Sequence, residues 1–362
     1  MPRAAKLAAE ADKASLAFEV ALAEIGAKTI EDAISMWSDV PVNRVDAVSA
    51  KWLDRAVRLV LFRRGQSRAL SMAYYRLVRA LRTGTTIADP DHPEPKYITL
   101  QELRDEFAAL ASDRGTTVVD KETGEITGAK APEPPTAPES TPSPTTDPPA
   151  ELSDADLDRI LVEELEGLEA ALAEQDARAE TEAEVFLDLT GPRNLNDKLT
   201  IIDTSQPGDV VDEERQTAHD KAGNAQAASA EHSVMDGARG TIWATSQLDK
   251  RVIGFIRLSR TGTPCGWCAM LISRGPVYKS AEGTSASTTY GDLDKYHDHC
   301  HCYAEPIFSL DQYNSDPRYD LNRQYADLWP QITRGYSGKA AITVWRRFIR
   351  EQQKLAQAAS TP

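Results

Sequence analysis

Apolar residues recur in steps of three and four from about Ala14 to Leu110. Leu53, Val57, Val60 and Leu61, and then Leu70, Tyr74, Leu77 and Leu81, keep the spacing of amphipathic helices packed as a bundle. A second stripe, Leu157, Leu161, Leu165, Leu168 and Leu172, predicts a long acidic helix starting at Ser153, with Asp156 three residues on as a capping partner. Asn, Asp, Pro and Gly scattered from Gly191 to Asp209 predict a loop. Asp212 to Gln247, rich in Ala, Gln, Asn and Glu, predicts a small-residue helix that packs closely on others. Arg251 to Leu258 (RVIGFIRL) is the best strand, and Leu321 to Ala356 predicts two helices around a turn at Gly335 to Gly338. No internal repeat interrupts this order.

Residues 131–149 hold eight of the 21 prolines, which favours extended chain over packing. With 362 residues and a prior of two or three domains, the expected division is a helical N-terminal domain (1–125), a Pro-rich disordered linker (126–150), an acidic amphipathic helix (151–190) and a C-terminal domain (191–362). The fold class expected is α-rich, α+β. No apolar run approaches the ~20 residues of a membrane span, and the charged first 22 residues do not resemble a signal peptide.

Charge is unevenly spread over a chain of net −15. Between Lys51 and Arg82 there are nine Lys or Arg against Asp54 alone, with Trp52, Phe62, Tyr74 and Tyr75 interleaved. That stripe suits phosphates, including those of DNA, or an acidic partner; it equally suits a solvated helix pair whose arginines lie along the surface. Residues 151–185 hold 13 acids and two arginines. Their leucines need a partner: the basic half of this chain, another copy, or a different protein.

All four cysteines fall in two short pairs, Cys265-x-x-Cys268 and Cys300-x-Cys302, with His297, His299 and His301 interleaved with the second. So few cysteines make no disulfide scaffold and favour a reducing compartment. Two close pairs on separate turns suit a tetrahedral metal, and thiolate with imidazole suits structural Zn2+. A disulfide pair or catalytic dithiol leaves the histidines unexplained. An open catalytic zinc would need a carboxylate such as Asp292, Asp294, Asp298 or Glu305. No H-E-x-x-H, G-x-S-x-G, G-x-x-x-x-G-K-S/T or G-x-G-x-x-G occurs, and the histidines outside the cluster are His92, His219 and His232.

Cys265-Gly-Trp-Cys268, the Leu271 to Tyr278 continuation, His297-x-x-Cys300-x-Cys302 and Glu305-Pro306 resemble the phage Mu F-like (MuF) minor capsid family, in its actinobacteriophage form. The likeness spans about residues 215 to 350 and is specific within 264 to 308. It implies metal ligands among Cys265, Cys268, His297, Cys300 and Cys302, with His299 and His301 as alternates, and no catalytic residue. It further implies a head morphogenesis protein of the virion, assembled in the host bacterial cytoplasm with portal, scaffold and major capsid protein as partners. The N-terminal half is similar to a version sometimes described as a capsid maturation protease, the alternative activity. A third alternative is a zinc-stabilised virion protein contacting DNA through Lys51 to Arg82.

Two outcomes are expected from the sequence. Limited proteolysis should cut first within 126–150, because Pro, Thr and Glu there bury too little surface to offset ordering entropy; early cuts elsewhere with this run protected would contradict it. A break at that run also implies that the two halves melt separately.

Overall fold

The computed structural model describes residues 3–43, 45–92, 95–112, 118–119, 126–127, 159–259, 264–278 and 302–360. The Pro-rich run 131–149 lies outside them, as do His297, His299, Cys300 and His301. In chain order the elements are α1 (Arg3–Trp37), α2 (Val45–Thr83), β1 (Thr85–Ile87), β2 (Tyr97–Thr99), α3 (Leu100–Ser112), β3 (Val118–Val119), β4 (Ile126–Thr127) and β5 (Arg159–Glu163). Then follow α4 (Leu168–Thr190), α5 (Pro192–Thr200), α6 (Gly208–Leu248), β6 (Gly254–Ser259), α7 (Gly266–Ile272), β7 (Val277–Tyr278) and β8 (Cys302–Ile307). The chain ends with α8 (Leu310–Ser315), a 3-10 turn (Pro317–Tyr319), α9 (Asp320–Ile332) and α10 (Gly338–Ser360). The fold is α-rich with small sheets, as the patterning predicts.

The long helices α1, α2, α4 and α6 form the body. As predicted, α6 is a small-residue helix, and its alanines and glycines let neighbours approach closely. A Cβ on Gly223 would sit 2.5 Å from Trp37 Cδ1, and one on Gly237 would sit 2.8 Å from the Arg64 carbonyl oxygen. Trp37 Nε1 also donates to the His219 carbonyl at 3.1 Å. One apolar core runs from Ala11 and Phe18 through Tyr74 and Ala227 to Ile307 and Tyr319. The helices before and after the Pro-rich run therefore share a core, and the expected division into separately packed halves does not hold.

Two local expectations are corrected. Arg159–Glu163, expected inside the acidic helix, is a strand: it pairs in parallel with β1 (Thr85 opposite Leu161) and antiparallel with β2 (Tyr97 opposite Leu161). Gly167, with φ 86°, separates it from the helix, which starts at Leu168. A left-handed residue ends any continuous helical stripe. Within the expected loop, Pro192 opens α5; proline fits a first helical turn because that N–H has no partner within the helix. The expected strand and the C-terminal helix pair are present as β6, α9 and α10, the latter two joined by a turn in which Gly335 has φ 83° and Gly338 has φ 53°.

The basic stripe of 51–82 is not a surface. Of these residues only Lys51, Asp54, Arg58 and Gly65 are exposed; Arg63, Arg76 and Arg79 are at most 2% exposed. Each of the three meets an acid from another element. Arg63 pairs with Asp32 at 2.8 Å, and Arg76 grips both oxygens of Glu106 at 2.8 and 2.7 Å. Arg79 donates to Asp249 at 2.6 Å and to Glu163 at 2.5 Å. Arg68 reaches Asp176 of the acidic helix, so that helix does partner the basic half of the chain. Around Asp249, burial pulls the carboxyl pKa upward, but Arg79 and the Arg251 amide outweigh it and hold it below the ordinary range. Glu163, bonded first by Arg251 and then by Arg79, is lowered to about 2.

Three consequences are measurable. Calorimetry should give one cooperative transition in which α2 and α6 melt together, since they share a core. Gly237→Ala should lower stability by roughly 1–3 kcal/mol, the usual cost of overpacking, in chemical denaturation. Because the Glu163 carboxyl titrates near 4.5 when unfolded and about 2 when folded, its stabilisation is present above pH ~4.5 and is lost as pH falls towards 2. In acid titrations Glu163→Gln should flatten this part of the stability profile; an unchanged profile would show that the ion pair contributes nothing there.

Candidate functional site

Cys265 precedes α7 and accepts a hydrogen bond through Sγ from the Cys268 amide at 3.4 Å, so the turn places both thiols at one end of the helix. On the facing strand, Cys302 stands opposite Ser259 in the β6–β8 ladder. Cys268, Ile272 and Cys302 pack as one buried cluster, with Cys265, Trp267 and Tyr325 half-buried against it. The two parts of the cysteine motif thus come together across a helix and a strand.

The surroundings fix that arrangement. The Asn322 side chain donates to the Arg257 carbonyl at 3.0 Å and the Ile272 carbonyl at 3.3 Å, tying α9 to β6 and to the end of α7. Trp345 of α10 is fully buried, edge-on to Tyr325 and Trp329. Helix α10 lies so close to α7 that a Cβ on Gly266 would meet Arg346 Cα at 3.0 Å. Glycine between the cysteines therefore keeps the C-terminal helix seated.

Strand alternation sends Glu305 to the other face of β8 from Cys302. There it is 1% exposed and accepts hydrogen bonds from Ser15 at 2.6 Å, from Tyr74, and from Tyr319 at 3.2 Å. Arg318 lies 3.4 Å from it and also pairs with Asp12 at 3.0 Å and Asp316 at 2.8 Å. Burial, and then the Glu305 charge, raise the Tyr74 pKa well above normal, so the phenol remains a donor. Glu305 therefore binds the motif strand to α1 and α2 and is not a carboxylate beside the thiols. Nothing in the sequence flagged Ser15 or Tyr74 as its partners, because they lie 290 and 231 residues away, and Arg318, 13 residues on, carries no motif that would single it out.

The histidines outside the motif have structural contacts. His219 Nε2 donates to the Val40 carbonyl at 2.8 Å and its ring lies against Trp37; His232 meets Asp236 at 3.0 Å and His92 meets Asp89 at 3.1 Å. A cavity of about 450 Å³ opens between α2, α4, α6 and the motif sheet, lined by Arg64, Arg178, Glu182, Asp236, Arg239 and Trp243 among others. Its guanidinium groups face two carboxylates, with no hydroxyl or thiol nucleophile in the lining. Among the described residues no three His, Cys, Asp or Glu side chains form a metal-holding group, and the motif's remaining donors, His297, His299, Cys300 and His301, lie outside them. Among those residues, too, no helix is long and apolar enough to cross a membrane.

Residues 157–329, just under half of the chain, match the family model described as VG15 protein. The match runs from β5 to α9 and contains every cysteine. VG15 is a family of phage virion-associated proteins, so the similarity is to phage structural proteins. No curated protein and no solved structure matches the chain.

Proposed function

We propose that the chain is a minor head protein of a tailed bacteriophage of the MuF-like kind, acting with portal, scaffold and major capsid protein during head morphogenesis. The observation that carries this reading is the match of residues 157–329 to a phage virion family. A role in assembly also suits the interior: buried Glu305, Asp249 and His219 each bind one element to another.

The cysteine motif belongs to this reading as a structural zinc site. Cys268 and Cys302 in one buried cluster, with Cys265 against it, supply soft donors on a tight turn and a strand, the chemistry that Zn2+ prefers. His297 or Cys300 completes the four, with His299 and His301 as alternates. When bound, the ion cross-links α7 to β8, where the chain's own contribution is a small apolar cluster.

Two measurements test the proposal. Elemental analysis of protein purified without added metal should find one zinc per chain; none, with all thiols oxidised, would remove the zinc. Co-expressed with the phage's portal, scaffold and capsid proteins, the chain should co-purify with portal or procapsid and leave the capsid protein uncleaved. Capsid cleavage that depends on this chain would make it a maturation protease instead.

A further inference from the structure

A run of exposed cations lies on α10, whereas the predicted stripe of 51–82 leaves only Lys51 and Arg58 exposed. Lys339, Arg346, Arg347, Arg350 and Lys354 are all exposed, Glu351 is the one acid of the helix, and Arg334 stands just before it. No carboxylate among the described residues pairs with any of these cations, although Arg346 also lies over the Trp267 ring at 5.5 Å. This contrasts with α2, whose buried arginines are neutralised from within. The same molecule exposes the opposite charge on α4, where Glu169, Glu174, Glu180 and Glu184 are exposed and unpaired among the described residues. Next to them Val185, Phe186 and Leu189 are 48, 47 and 45% exposed, while α10 exposes Leu355 at 64%.

We propose that the basic face of α10 docks on the acidic face of α4 of a second copy of this chain. Both helices have 23 residues, so each presents a face about 35 Å long. Each contact joins unlike faces, so it closes a two-fold dimer when made reciprocally and builds a ring or open chain of copies when made head-to-tail. Helix α4 rests on α2 and α6, and α10 rests on α7, so one molecule offers both faces at once. Apolar residues at the C-terminal end of α4 and on α10 supply the burial that charge alone does not, because exposed ion pairs are each worth only about 0–1 kcal/mol. Two helices side by side bury less than the ~1,200 Å² of a stable interface. The contact is consequently weak, salt-sensitive and strengthened when copies are held near one another. It does not depend on the virion reading.

Sedimentation velocity on the full chain tests it. Wild-type protein should self-associate in a concentration-dependent way at ~0.1 M salt and lose at least about tenfold in affinity by ~1 M, as the screening length falls from ~10 to ~3 Å. Arg347→Glu, Arg350→Glu and Lys354→Glu together should give a monomer, as should Glu174→Lys, Glu180→Lys and Glu184→Lys together. All six sites are exposed, and circular dichroism melts should match wild type. A one-to-one mixture of the two variants should associate again, because each reversed face then meets its complement. A wild-type chain that stays monomeric at low salt overturns the proposal, as does association that survives in either variant alone. Binding of a DNA duplex through α10 by a chain that never self-associates would assign the basic face to nucleic acid and likewise overturn it.

Discussion

An arginine side chain withdrawn from water inside a helical body is tolerable only when its guanidinium meets an anion, since an uncompensated buried charge costs several kcal/mol. In α2 this condition governs the rest of the fold. Arg63 needs Asp32 of α1, Arg76 needs Glu106 of α3, and Arg79 needs both Glu163 of β5 and Asp249 beyond α6. Satisfying them brings α1, α3, the strand inserted between β1 and β2, and the end of the longest helix around one central element. Apolar packing supplies the bulk of the stabilisation, but these pairs determine which elements can surround α2.

The same pairs explain what the sequence conceals. Nine cations near one acid look like a surface when only neighbours are counted, because counterions stand at positions such as 12, 32, 106, 163, 176 and 249 and are linked to the stripe only by folding. Elements whose signal is local were legible: the small-residue helix α6, the strand β6 and the helix pair α9 and α10. Strand β5 was not, since its leucine spacing continues the helical stripe and only Gly167 and pairing with residues at least 60 positions away make it a strand. The meeting of Cys265 and Cys268 with Cys302 was legible from spacing, whereas the destination of Glu305 followed from strand alternation once β8 was in place.

Cys302 and Glu305 give β8 two attachments on opposite faces. One face joins the thiol cluster on α7, and the other enters the hydroxyl and guanidinium cluster of Ser15, Tyr74, Tyr319 and Arg318. One short strand thus joins the cysteine cluster on α7 to α1 and α2. This makes the cysteine motif part of the body of the molecule.

The dependence of Arg79 on Asp249 also has a bearing on synthesis. Helix α2 leaves the ribosome well before the carboxylate that neutralises it: the intervening 170 residues take about 10–30 s at elongation rates of roughly 5–20 residues per second. Throughout that interval Arg79 has neither Glu163 nor Asp249 at first, and then Glu163 alone. Until Asp249 emerges, the Arg79 guanidinium has only water or Glu163 in its place. The arrangement around α2 can therefore be completed only after synthesis has passed Asp249, two-thirds of the way along the chain.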